Sequence, residues 1–106
     1  MKAFIIHPDD NVATALEALT PGTAQLLGAR TDSLYVAEAV REGHKISLRA
    51  IPKDEAVIKF GIRIGHASTD IPAGSWIHLH NLHSDYDERS QTLDGETGAP
   101  TEDVYV

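Results

Sequence analysis

Gly43-His44-Lys45-Ile46-Ser47-Leu48-Arg49-Ala50-Ile51-Pro52, Val57-Ile58-Lys59-Phe60-Gly61-Ile62-Arg63-Ile64-Gly65 and Asp70-Ile71-Pro72-Ala73-Gly74-Ser75-Trp76-Ile77-His78-Leu79-His80-Asn81 are three apolar runs closed by Gly or Pro. In each, cations or histidines alternate with aliphatic residues. Successive side chains of a strand point to opposite faces, so this alternation sets an oily face against a row of positive or metal-capable groups. Ile46, Leu48 and Ala50 share one face of the first run, and Lys45, Ser47 and Arg49 the other. In the second run Ile58, Phe60, Ile62 and Ile64 line one face, with Lys59 and Arg63 opposite. Strands paired with their apolar faces inward would gather these cations outside, as a surface that attracts carboxylate. The same pattern also describes a solvated strand face that serves only solubility.

Outward from this stretch the pattern stays strand-like. Lys2–Ile6 reads as a first strand ended by His7-Pro8-Asp9-Asp10, and Thr23–Leu27 and Ser33–Val36 as two more. Lys45–Ala50, Val57–Ile64 and Trp76–Leu82 read as the clearest strands. Asn11–Leu19 is ambiguous, because Val12, Leu16 and Leu19 fit a helical stripe that runs into a Thr20-Pro21-Gly22-Thr23 turn. Ile51-Pro52-Lys53-Asp54 and Ile71-Pro72-Ala73-Gly74 are two similar turns twenty residues apart. Short strands with frequent turns predict a compact all-β domain over residues 1–83. Residues 84–106, rich in Asp, Glu, Thr, Gly and Ser, read as an irregular acidic tail or linker.

The chain has 106 residues, enough for one domain that buries roughly 65% of its unfolded surface. With 42% hydrophobic but only 6% aromatic residues, its core must be mostly aliphatic. There is no cysteine, which excludes disulfides, a thiol nucleophile and thiolate metal ligands. The formal charge of −7 is concentrated in the tail, where seven acids face the single base Arg89, while residues 1–83 carry nine acids and eight bases. No basic, aromatic-rich groove argues for nucleic acid, and no apolar run approaches membrane-spanning length. The cytoplasm is the expected compartment, since the first residues alternate directly into a strand.

His78 and His80 lie two apart in the expected strand and would share a face, a spacing at which two imidazoles can grip one divalent metal. Further ligands would come from His44, His7 or another subunit. Read from the residues alone, they are equally surface histidines beside Trp76. His44, at a Gly turn ahead of a strand, has the position of an acid or base near neutral pH, or of a residue capping a strand carbonyl. His7, Asp10 and Asn11 form a loop cluster that turn chemistry also explains. Glycine-rich phosphate loops and nucleophile elbows are absent from the sequence.

The motifs His7-Pro8-Asp9-Asp10-Asn11-Val12, Gly43-His44-Lys45, Val57-Ile58-Lys59-Phe60-Gly61, Ile64-Gly65, Asp70-Ile71-Pro72-Ala73-Gly74 and His78-Leu79-His80-Asn81 occur in one order across about three-quarters of the chain. In this the sequence resembles the small SAF-type (β-clip) domain of the altronate/galactarate dehydratase family. The resemblance implies a small subunit or N-terminal domain that assists a large dehydratase subunit or fused catalytic domain. The implied reaction converts a sugar acid of hexuronate catabolism to a 2-keto-3-deoxy sugar acid, with a divalent metal, expected to be Fe2+ and shared with or supplied by the large part. It further implies that His44 and His80 contact metal or substrate, with His78 a second metal ligand, and that Lys45 holds a carboxylate. His7, Asp10, Asn11, Arg49, Lys59 and Asn81 complete the expected substrate contacts. On this reading the isolated chain is inactive, and it can form homo-oligomers. A sulfolactate-type sulfo-lyase small subunit and a non-catalytic carbohydrate- or carboxylate-binding SAF module are the alternatives.

Overall fold

A computed structural model describes residues 1–84. The acidic stretch expected as a tail lies outside the described residues, apart from Ser84. The described residues form nine strands and no helix: β1 (Lys2–Ile5), β2 (Val12–Ala15), β3 (Gly22–Gly28), β4 (Ser33–Val36), β5 (Lys45–Ser47), β6 (Ala56–Lys59), β7 (Ile62–Ala67), β8 (Trp76–Ile77) and β9 (Leu82–Ser84). The all-β expectation is met. The ambiguous Asn11–Leu19 segment resolves into β2 followed by a turn, and Leu19 then bridges Val40.

Six strands form one sheet in the order β4-β3-β1-β2-β5-β8, and β6-β7-β9 form a second. Only β1 and β3 run parallel among the described pairs. The strands β3 and β4 at one side of the large sheet show period-two burial: Ala24 and Leu26 of β3 and Leu34 and Val36 of β4 are buried between exposed or half-buried neighbours. Its inner strands differ. Val12 and Ala13 of β2 are both buried, as are Lys45, Ile46 and Ser47 of β5. Two aliphatic clusters account for this, one containing Ala13, Leu26 and Ile46, the other Val12, Val57, Ile71 and Ile77. A strand with a core on each face has no solvent side to which a cation row could be assigned.

Three expectations from alternation are therefore corrected. Val57–Ile64 is not one strand but the β6–β7 hairpin, reversing at Phe60 and Gly61 with φ of 61° and 72°. Two successive left-handed residues are what a tight hairpin turn requires. A Cβ at Gly61 would stand 2.8 Å from the exposed His7 ring, which would have to swing aside, so the left-handed φ is the main reason for glycine there. Trp76–Leu82 breaks after two residues, because His78–Asn81 forms a turn before β9. Lys45 is not on an exposed cationic face: it is only 3% exposed.

The two Ile-Pro turns face each other. Ile51 and Ile71 exchange both backbone hydrogen bonds at 2.8 Å, and each Ile-Pro run has a left-handed residue at its fourth position, Asp54 and Gly74, both at φ 75°. The Arg41–His44 turn repeats the device with Gly43 at φ 84°, closed by the His44 N–H donating to the Arg41 carbonyl at 3.0 Å. Ser47 fixes the Pro72 turn by donating to the Pro72 carbonyl at 2.8 Å and accepting from the Ser75 N–H at 2.9 Å. This connection delivers Trp76 to the edge of the large sheet beside His44.

Candidate functional site

Trp76 is the centre of the side-chain cluster that best fits chemistry. Its register partner on β5 is Ile46, so the indole leaves the sheet on the Ile46 side and packs against the first core. The indole N–H donates to Nδ1 of half-buried His44 at 2.9 Å. Ring centroids of His44, His78 and His80 lie 5.9, 5.4 and 4.8 Å from that of Trp76, and His44 and His78 stack at 5.2 Å. Because Nδ1 of His44 accepts, the neutral ring carries its proton on Nε2 and presents an N–H donor on its other side. The histidines of two distant stretches, Gly43-His44 and His78-Leu79-His80, are thus brought together.

The route by which His78 and His80 meet differs from the expected one. They are not alternate residues of a strand but members of a turn shaped by Asn81. The Asn81 side chain accepts from the His78 N–H at 3.0 Å and donates to the Trp76 carbonyl at 2.9 Å. Asn81 is buried and holds the turn that places the two imidazoles. Among the described residues no three His, Asp or Glu side chains are grouped closely enough to hold a metal ion. The described residues therefore do not make a metal site by themselves.

Lys45 follows His44 in sequence but leaves by the other face. Its register partners are Thr14 and Ile77, and Ile77 belongs to the second core. Burial first, and then the charge of Lys59, lower the Lys45 ammonium from its usual 10.5 to about 8. Lys59 is lowered mainly by burial, against which the Asp10 carboxylate acts. The Lys59 ammonium also sits 4.7 Å above the Phe60 ring. Lys45 and Lys59 thus form a second cationic locus, on the opposite side of β5 from the imidazoles.

Three of the remaining expected contacts, Asp10, Asn11 and Arg49, also make bonds that hold the fold. Asp10 accepts from three backbone N–H groups, those of His7 (3.1 Å), Phe60 (3.1 Å) and Gly61 (2.7 Å), and so pins the β6–β7 turn to the loop after β1. Asn11 accepts from Ile58 N–H at 2.8 Å and donates to the Ala56 carbonyl at 2.9 Å, spanning the bulge between Val57 and Ile58. Arg49 pairs with Glu55 at 2.6 Å and donates to the Ala50 carbonyl at 2.9 Å. Asp10, Asn11 and Arg49 do share a polar cleft of about 340 Å³ with Arg30. His7 lies exposed over Gly61, away from the Trp76 cluster in sequence and contacts.

Two residues of the cluster's surroundings were not singled out by sequence. Trp76 entered only as a neighbour of the histidines, although it is the sole tryptophan of the chain. Arg41, in a turn-forming Arg-Glu-Gly-His run, carried no strand periodicity. With Trp76, Leu19, Thr20 and Val40 it lines a groove of about 350 Å³.

Comparison with known proteins agrees with the motifs. The family model for the altronate/galactarate dehydratase SAF domain matches residues 1–85. The chain is similar to an altronate dehydratase of Bacillus subtilis (strain 168), 44% identical over 82 residues that cover 76% of this chain and 16% of that protein. It is 40% identical over 91 residues to an altronate dehydratase of Escherichia coli (strain K12), covering 86% and 18% respectively. Similarity extends to the (2R)-sulfolactate sulfo-lyase subunit alpha of Chromohalobacter salexigens, 29% identical over 85 residues that cover 74% of this chain and 90% of that subunit. The chain therefore spans less than a fifth of the altronate dehydratases it matches, and most of the sulfo-lyase subunit. No helix of the described residues is long and apolar enough to cross a membrane. By the match over residues 1–85, the chain belongs to the SAF-domain family of the altronate/galactarate dehydratases.

Proposed function

We propose that this chain is the small subunit or N-terminal domain of a cytoplasmic sugar-acid dehydratase of the altronate type, active only together with a larger catalytic part. The observation that carries the reading is the convergence of His44, His78 and His80 on one indole in a chain whose dehydratase relatives are over five times longer than the matched segment.

Dehydration of a 2,3-dihydroxy acid breaks the C2–H and C3–O bonds. The C2 proton goes to a base, the C3 hydroxyl leaves as water after receiving a proton, and the resulting enol becomes a 2-keto-3-deoxy acid. The carboxylate accumulates charge as an enediolate, so fixed donors near it lower the barrier. In this chain the Nε2–H of His44 is a positioned donor for such an oxygen, and His80 is the candidate for proton transfer. Lys45 and Lys59 would hold a carboxylate if the substrate or the larger part reached the far side of β5. A divalent metal, with ferrous iron the expected ion, would be held chiefly by the larger part, with His78 and His80 as additional ligands.

The test is co-expression with the larger dehydratase polypeptide and assay on altronate, with the chain alone and the larger part alone as controls. Turnover only in the combination supports the reading; turnover by the larger part alone at the same rate refutes it. A second reading, the small subunit of a sulfolactate-type sulfo-lyase, is favoured by the 90% coverage of a free-standing subunit. Release of sulfite from sulfolactate, with no keto acid from altronate, would select it.

A further inference from the structure

The groove beside Trp76 adds something that the imidazole cluster does not explain. Its floor is apolar, with Leu19 and Val40 joined by a backbone bridge, and its walls include the Trp76 ring, Thr20 and Arg41. Arg41 is exposed, and its guanidinium makes no ion pair or side-chain hydrogen bond among the described residues, unlike Arg30 and Arg49. Its volume of about 350 Å³ falls at the lower end of the range, roughly 300–1,000 Å³, in which small-molecule sites lie. The same indole is a wall of this groove and the contact of three imidazoles.

The geometry points to the groove as a binding subsite for a polyhydroxy carboxylate, in which Arg41 pairs with the carboxylate and the Trp76 face stacks on the C–H face of the carbon chain. The His44 Nε2–H and the His80 ring, beside the same indole, then lie where the hydroxyls of a chain extending past Trp76 would be. A free guanidinium offers a planar fork that matches a carboxylate, and an aromatic face favours the slightly positive C–H groups of a polyol. A purely apolar guest would fill the floor but leave the Arg41 guanidinium and the His44 Nε2–H donor unused. The Glu38 carboxylate accepts the Trp76 backbone N–H at 3.0 Å and forms no ion pair with Arg41.

The inference rests on the proposed class of substrate, a hydroxy acid, but not on turnover. Trp76 is the only tryptophan, so its fluorescence, excited where tyrosine does not absorb, reports the groove directly. The full chain is titrated with altronate, with the neutral polyol altritol and with acetate. Saturable change is expected with altronate, little with altritol, and only weak change with acetate. Arg41→Met should weaken altronate binding about tenfold or more, as for loss of a charge-assisted contact, and Arg41→Lys by less. Lys53→Met, on the distant Ile-Pro turn, should bind as the parent does, and ligand-observed NMR gives the same ranking without the indole probe. Absence of any altronate response, or equal affinity for the parent and Arg41→Met, overturns the subsite. If the assembled enzyme nevertheless dehydrates altronate, and Arg41→Met leaves its KM unchanged, the subsite alone has failed and the proposed function stands.

Discussion

His44 takes its chemical character from the indole beside it. A histidine ahead of a strand is legible in sequence as exposed and titratable, but the ring nitrogen that carries the proton depends on a partner thirty-two residues away. With Trp76→Phe the Nδ1 acceptor loses its donor, and both neutral tautomers become available. Nitrogen NMR of the neutral ring should show Nε2 protonated in the parent and a mixture in the variant. Turnover of the assembled enzyme should fall about five- to tenfold, near the worth of one hydrogen bond. Lys45 gives a prediction with a defined sign. Its folded value of about 8 lies below 10.5, so between these pH values the unfolded chain binds more protons. Stability should thus rise with pH across that window, by on the order of 3 kcal/mol, and stay flat below it. Lys59, lowered in the same direction, adds to the slope. Lys45→Met should be more stable than the parent at neutral pH and lose the Lys45 share of the slope, measured by urea unfolding at pH 7 and pH 10. Parallel profiles would show that the Lys45 ammonium is not desolvated in the fold.

At the scale of elements, alternation located most strands but could not tell one strand from a hairpin. Val57–Ile64 keeps its apolar rhythm through Phe60, and the Gly61 signal alone does not announce that a phenylalanine takes a left-handed φ before it. What holds the turn is remote in sequence: the Asp10 carboxylate, fifty residues upstream, accepts the Phe60 and Gly61 N–H groups. Asp10→Ala strands these donors and should cost about 2–3 kcal/mol, read as a lower urea midpoint with unchanged m-value. Phe60→Asn suits the left-handed region better and should stabilise by about 0.5–1 kcal/mol, the strain relief exceeding the lost contact with Lys59. A destabilised Phe60→Asn would mean that the ring contributes more packing than its exposed position suggests. The His78–His80 pair shows the complementary limit. The sequence placed both on one side for a reason that proved wrong, an extended strand. They meet because Asn81 folds the chain back under Trp76.

For the whole molecule, the motif order in the sequence was sufficient to indicate the family, since ordered motifs do not depend on getting each strand boundary right. Burial on both faces of β5 was not legible, because it depends on a second sheet, β6-β7-β9, that periodicity within one strand cannot report. Two cationic or imidazole loci thus lie on opposite sides of the large sheet, and the larger part proposed above could engage either. The chemistry proposed above lies on the Trp76 side. Its most direct test is kcat/KM for altronate in the complex purified with the larger polypeptide, compared between the parent, His44→Ala and His80→Ala. Each variant should assemble normally and fall by about a hundredfold or more, the range of a lost acid or base. Full turnover in both variants within an intact complex would contradict the account.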